Sequence, residues 1–276
     1  MPDVAKLALG TANCNRNFPQ FSTSTSTLRS GRYRTRPFPD SAEFPISGTL
    51  LLTNPQMQTV HDSQNLFLEG PAGRLEAILW TPVRLKLPLL AAVVCHPHPL
   101  FGGTMHNKVV YNAAKTLDAL GIPVLRFNFR GAGLSGGTHD KGRGELGDVQ
   151  AALDYLAAQF PGVPPLLAGF SFGSVVGLRV GCRDARVIEL IGLGIPVNSS
   201  DFSFLADCPK PRLFVHGAED KFGARKKVEE TASTLPGENK LVVVEHADHF
   251  FAGHLDEFNA AIAAWLTERH PALRTS

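Results

Sequence analysis

The chain has 276 residues, a formal net charge of +2, 43% apolar residues and 19% charged residues. That composition excludes wholesale disorder, and so small a charge gives no footing for nucleic-acid binding. The four cysteines (Cys14, Cys95, Cys182 and Cys208) stand far apart with no C-x-x-C pair. This speaks against a disulfide scaffold or a zinc site and fits a reducing compartment, the cytoplasm.

The charge is uneven. Residues 1–56 carry 6 basic and 3 acidic side chains, together with 13 Ser or Thr and 6 Pro. No helical or alternating apolar period runs through them, so they read as a flexible arm or as residues upstream of a true start at Met57. A transit-type targeting segment is the second reading, since the stretch is rich in Arg, Ser and Thr. The catalytic domain is expected over 57–276. In it, Asn65–Glu69 and Leu75–Trp80 flank Gly-Pro-Ala-Gly and predict an antiparallel hairpin. Leu89–Cys95 is a continuous apolar run, as in a buried parallel strand. Met105–Leu120 follows with Val109, Ala113, Leu117 and Leu120 at helical spacing. Strand and helix then alternate: Ile122–Phe129 (strand), Glu145–Phe160 (helix), Pro165–Phe170 (strand), Ser171–Gly181 (helix) and Val187–Leu193 (strand). Arg212–His216 (strand), Arg225–Leu235 (helix), Lys240–Glu245 (strand) and a closing helix, Leu255–Glu268, complete the series. This is the pattern of an α/β fold, a mostly parallel sheet covered by helices on both faces, with the hairpin as an antiparallel edge. No apolar run reaches the ~20 residues of a membrane-spanning helix, so no membrane span is expected.

In open α/β sheets the chemistry gathers at the carboxyl ends of the strands. After Pro165–Phe170 comes Gly169-Phe170-Ser171-Phe172-Gly173, a G-x-S-x-G match with a strand behind it and a helix-forming stretch ahead. Gly133-Leu134-Ser135-Gly136-Gly137 matches the same pattern but runs into further glycines, where no helix starts. Ser171 is therefore the candidate nucleophile. A serine needs a base, and the base needs an orienting acid. Glu219 and Asp220 follow one later strand, and His246 and His249 follow the next. Asp220 and His249 lie further into their loops and are preferred. An oxyanion hole needs two backbone N–H groups. Phe172 supplies one, and His96-Pro97-His98-Pro99-Leu100 the other. The prolines have no N–H, which leaves His98, with Leu100 as the fallback. A metal site from His96, His98 and His246 is a rival reading, but no carboxylate or thiolate partner stands at ligand spacing, so no metal is expected. Phe170, Phe172, Phe250, Phe251, Leu100 and Phe101 are the candidates to line an apolar cleft. Arg130 either borders the site or forms a structural ion pair, and Asp148 reads as a structural or solvent-facing acid.

Five segments together resemble a known family. They are His96-Pro97-His98-Pro99 with Gly102-Gly103, the stretch Phe129 to Ser135, the Ser171 elbow, Gly217-Ala218-Glu219-Asp220, and Ala247-Asp248-His249-Phe250-Phe251. Over residues 64–270 the chain resembles small serine-type α/β-hydrolases near the dienelactone-hydrolase-like and Xaa-Pro-peptidase-like group. The resemblance implies the α/β-hydrolase fold, a triad of Ser171, Asp220 and His249, and no cofactor. The Ser departs from dienelactone hydrolases proper, which use Cys, and from haloalkane dehalogenases and epoxide hydrolases, which use Asp. About 17 residues join Gly194 to Arg212, too few for a large lid. The expected activity is hydrolysis of a small-molecule ester, thioester or amide by a monomer or homodimer. An acyltransferase and a non-catalytic binding protein are the alternatives.

Overall fold

The computed structural model describes residues 61–83 and 87–274. The reading of residues 1–56 lies outside them. Eight strands form one sheet in the order β1-β2-β4-β3-β5-β6-β7-β8. The strands are β1 (His61–Leu68), β2 (Leu75–Pro82), β3 (Ala91–Cys95), β4 (Val124–Phe127), β5 (Pro165–Phe170), β6 (Glu189–Leu193), β7 (Arg212–Gly217) and β8 (Asn239–Val244). The helices are α1 (Lys108–Ala119), α2 (Glu145–Gln159), α3 (Phe172–Arg183), α4 (Arg225–Thr234) and α5 (Leu255–Arg269). β1 pairs antiparallel with β2, and β2 antiparallel with β4. Every other pairing is parallel.

Strand alternation sorts the core into two layers. In β3, Ala91, Val93 and Cys95 face α2, α3 and α4, where Val149, Leu153, Val176 and Val228 pack. Ala92 and Val94 face the opposite layer, with Val109, Ala113 and Leu117 of α1 and Phe258, Ile262 and Trp265 of α5. Burial on both faces is why these strands are near-continuous apolar runs in sequence.

The predicted elements are all present, with shifted ends. β1 begins at His61, four residues before the alternating stretch. Its first residues are polar and mostly exposed, as an edge strand allows. α1 begins at Lys108 because the Asn107 side chain accepts the Val109 N–H at 2.9 Å and caps the helix there. The chain between β6 and β7 carries one short 3₁₀ turn, Ser203–Asp207. Arg212 pins it by donating to the carbonyl oxygens of Leu205 at 3.1 Å and Pro236 at 2.8 Å, and to that of Cys208.

Candidate active site

The elbow after β5 is built by close approach. Ser171 sits at φ 54°, ψ −119°, a conformation that L-residues rarely adopt and that costs of order 1–3 kcal/mol. The surrounding backbone holds it there. Its N–H donates to Leu193 O of β6 at 2.9 Å, and its carbonyl accepts from Ser174 N at 2.9 Å and Ser174 Oγ at 2.6 Å. The two glycines of the motif have steric reasons. A Cβ on Gly169 would overlap the Gly173 carbonyl, and a Cβ on Gly173 would overlap the carbonyl oxygens of Cys95 and His96. The start of α3 therefore lies directly against the loop after β3, and the Phe172 N–H is among the orphan donors of a helix's first turn.

That loop folds on itself. His98 precedes a short 3₁₀ turn, Pro99–Phe101, and its carbonyl accepts from Phe101 N and Gly103 N, each at 3.1 Å. The Leu100 N–H donates to His98 Nδ1 at 3.2 Å, which removes the fallback oxyanion donor. The His98 N–H has no intramolecular partner among the described residues. His96 is fully buried. Its Nδ1–H donates to Pro97 O at 2.6 Å and its Nε2 accepts from Phe129 N at 2.9 Å. Both ring nitrogens are thus committed, which takes His96 out of the rival metal set. Burial pushes its pKa down to about 4, so the ring is neutral.

The loops after β7 and β8 bring the acid and the imidazole together. A Cβ on Gly217 would overlap the carbonyl oxygens of Ala247 and Asp248, so only glycine lets these loops touch. His249 Nδ1 lies 2.7 Å from Asp220 Oδ2, and both residues are almost fully buried. The other carboxylate oxygen, Oδ1, accepts from Phe222 N at 2.7 Å and Gly223 N at 3.4 Å. The competing pair is elsewhere: the His246 side chain is 83% exposed and 3.6 Å from Glu219. The His249 ring packs 4.8 Å from Phe170 and 4.5 Å from Phe222, between ring centroids. A Cβ on Gly194 would stand 3.3 Å from its Cε1. Gly194 directly follows Leu193, whose carbonyl holds Ser171, so the imidazole and the elbow share one strand-end corner. Ser171 Oγ and His249 form no hydrogen bond in this geometry, as is common before a substrate is bound.

Several expected residues have other places. Phe170 is fully buried and supports the His249 ring instead of lining a cleft, and Phe251 is buried against Phe258 at 4.7 Å. Leu100 (68% exposed), Phe101 (85%) and Phe250 (47%) stay at the surface around the site. Asp148 is buried, not solvent-facing. It accepts from Arg130 Nη2 at 2.7 Å, Arg130 Nε at 3.0 Å and the Arg130 N–H at 3.0 Å, and this pairing raises the Arg130 pKa. Arg130 is therefore structural. Sequence reasoning passed over His216 at the end of β7. It is buried, its Nε2–H donates to Gly223 O at 2.7 Å, and the ring lies 3.6 Å from Asp220. Phe222, which packs on His249, was also passed over. Neither residue stands in a motif, and their adjacency to Asp220 in sequence was the one available signal.

An eight-stranded, mostly parallel sheet with a serine elbow after its central strand, and no large lid between β6 and β7, defines an α/β hydrolase. A model of the alpha/beta hydrolase domain matches residues 101–259, and the chain belongs to that family. It is 38% identical over 210 residues to an uncharacterised protein, RP471, of Rickettsia prowazekii (strain Madrid E), across 73% of this chain and 87% of that one. Among solved structures, it is similar to an alpha-beta serine hydrolase homologue from Coxiella burnetii. The two share 36% identity at a TM-score of 0.70, covering 74% of this chain and 97% of that one. It is similar also to XC6422 from Xanthomonas campestris, described as an a/b serine hydrolase without lid. Here identity is 36% and TM-score 0.70, covering 75% of this chain and 94% of that one. Among the described residues no helix is long and apolar enough to cross a membrane, and no cluster of three metal-ligating side chains occurs.

Proposed function

We propose that the chain is a serine hydrolase that cleaves a carboxylic ester through an acyl-enzyme. Ser171 is the nucleophile, His249 the base and Asp220 the acid that orients it. Ser171 Oγ attacks the ester carbonyl carbon while its proton passes to His249 Nε2, and the carbonyl π electrons move onto oxygen. The Phe172 and His98 N–H groups stabilise that oxyanion. Collapse expels the alcohol, which takes the proton from His249. Water then attacks the acyl-enzyme, gives a proton to His249, and the acid leaves as Ser171 recovers its hydrogen. Asp220 fixes the imidazole with Nδ1–H toward the carboxylate, so that Nε2 is the basic nitrogen.

The observation that carries this reading is a positive-φ serine and a buried imidazole–carboxylate pair gathered at the carboxyl ends of β5, β7 and β8 in one sheet. The similarity to the alpha-beta serine hydrolase homologue of Coxiella burnetii and to the a/b serine hydrolase of Xanthomonas campestris supports it. No cofactor enters any step. Leu100, Phe101 and Phe250 give the mouth an apolar rim that suits an acyl or alkyl group. The absence of a large lid gives water access to the acyl-enzyme, which favours hydrolysis over acyl transfer.

A fluorophosphonate probe tests the assignment, with hydrolysis of p-nitrophenyl esters measured beside it. The native protein is expected to be labelled once, and Ser171→Ala to lose both label and turnover, by about 10⁴-fold or more. Equal labelling of the variant would overturn the reading.

A further inference from the structure

A cleft of about 390 Å³ opens beside the elbow, and its lining carries a charge pattern that ester hydrolysis alone does not require. At one end it is bounded by Phe172 and His98, the two residues whose N–H groups are assigned to the oxyanion. Their rings pack with His139, at centroid distances of 4.7 to 5.5 Å. Val175 and Val176 on α3 and Leu146 on α2 continue the wall as apolar surface. Beyond them the lining turns cationic, with Lys141, Arg143 and Arg179, alongside the hydroxyls of Ser199 and Ser200. Among the described residues no carboxylate lines the cleft.

The neighbouring acids are engaged. Asp140 pairs with Arg143 at 3.0 Å. Glu145 is buried, 2.7 Å from His139, and accepts the N–H groups of Asp140 and Gly142. Asp201 accepts from Ser203 N at 2.9 Å and Ser203 Oγ at 2.8 Å, although it also feels the Arg179 charge. Lys141 and Arg179 form no ion pair among the described residues. Arg179 lies 4.7 Å over the Phe204 ring, and its Nε is buried without a hydrogen-bond partner. Lys141 is held at φ 54° between the two N–H bonds to Glu145, so its backbone is fixed at the cleft. Arg179 lies seven residues beyond Phe172, about 10 Å along α3 at 1.5 Å per residue.

From this gradient of aromatic, aliphatic and cationic lining we infer that the preferred substrate is an anionic ester. Its acyl chain runs from the Ser171 carbonyl site along α3 and ends in a carboxylate at Arg179 and Lys141. The Arg179 guanidinium lines the cleft, and the planar array of its terminal N–H donors matches a carboxylate in shape as well as charge. An amphiphilic half-ester of a dicarboxylic acid meets every part of the wall, whereas a neutral ester leaves the cations idle. The inference rests on the serine-hydrolase reading and adds the substrate class.

The test compares p-nitrophenyl half-esters of a dicarboxylic acid series with neutral p-nitrophenyl esters of matched chain length. The read-out is the ratio of their kcat/KM values in the native protein, Arg179→Gln and Lys141→Gln. The half-ester is expected to win by at least about tenfold at its best length, and the ratio to fall at least about tenfold in Arg179→Gln. Lys141 is exposed, so Lys141→Gln keeps the test open if Arg179→Gln fails to fold, and its ratio is expected to fall in the same direction. Native ratios at or below one at every length, or ratios unmoved by both substitutions, would overturn the inference while leaving the hydrolase standing. A protein that takes no fluorophosphonate label and cleaves neither series overturns both.

Discussion

The chain spells G-x-S-x-G twice, and the two copies have opposite fates. At Ser171 the glycines clear space for backbone: β5 ends, the chain reverses, and α3 begins against the loop after β3. The serine is left in a strained conformation beside the Asp220–His249 pair. At Ser135 no helix follows, and the hydroxyl is consumed by structure. Its Oγ–H donates to Asn128 O at 2.7 Å and its oxygen accepts the Glu76 N–H at 3.0 Å. A Cβ on Gly133 would strike the Asn128 and Glu76 side chains. Those two side chains bond each other at 2.7 Å, and Glu76 also accepts the Leu134 N–H at 2.8 Å. Both serines are half-buried, but one pattern leaves its hydroxyl without a hydrogen bond among the described residues and the other ties it into a network. The motif is a statement about backbone crowding, and the flanking elements decide what the crowding is for.

Three substitutions separate the loops, beginning with the largest effect. Asp220→Asn removes the carboxylate charge 2.7 Å from His249 Nδ1 and, on the proposed triad, is expected to lower kcat on a neutral p-nitrophenyl ester by about 10⁴-fold. Glu219→Gln, at an exposed acid one residue away, is expected to change it by less than about threefold. Equal losses in both would dissolve the choice of Asp220. Gly173→Ala forces a methyl into the carbonyl oxygens of Cys95 and His96, which are backbone and cannot swing aside. A loss of about 3 kcal/mol in urea unfolding, with loss of fluorophosphonate labelling, is expected. A stable, fully labelled variant would show that the elbow tolerates a side chain.

His96 links the loop after β3 to Phe129, at the start of the Ser135 loop, and gives that link a pH signature. Burial holds the ring neutral in the folded state, with a pKa of about 4, whereas the unfolded chain protonates near the ordinary histidine value of 6.5. Between these values the unfolded state binds more protons. This contribution is therefore complete above pH 6.5 and is lost as pH falls toward 4, by about 3 kcal/mol in all. The stability difference between the native protein and His96→Gln should shrink by that amount from pH 7 to pH 4. Parallel pH profiles would place the ring outside the titrating set.

The legible part of the molecule was the part where sequence order and spatial order coincide. β5 and the parallel strands were readable because burial on both faces leaves unbroken apolar runs. Asp220 and His249 were readable because each directly follows such a run, and parallel strands place those ends side by side. The phenylalanines were not readable. Phe170 and Phe251 are buried and Phe101 is exposed, yet all three follow or end apolar stretches, and the loop path alone decides which way each ring turns. Arg179 was hidden for a different reason. A lone arginine on a helix reads as a surface cation, and its place in the cleft depends on the loop carrying Lys141, far away in sequence. His216 supports Asp220 through a contact of the folded loop, and nothing in strand periodicity marks it.

The smallest expected loss of stability is the sharpest on the comparison itself. Ser135→Ala removes one donor and one acceptor from a half-buried network. The Glu76 N–H and the Asn128 carbonyl lose their Ser135 contacts, while the Asn128–Glu76 bond survives. Leaving one such group without a partner costs about 1–2 kcal/mol, which calorimetry or urea unfolding resolves. Fluorophosphonate labelling and ester turnover should stay at the native level, because Ser135 lies in the network and not at the strand-end corner of Ser171. A variant of native stability would show that the Ser135 hydroxyl is bonded but idle. A variant that folds normally and loses its label would place the nucleophile in the wrong loop. The two serines can then be told apart by one pair of measurements, with Ser171→Ala failing in chemistry and Ser135→Ala failing in stability.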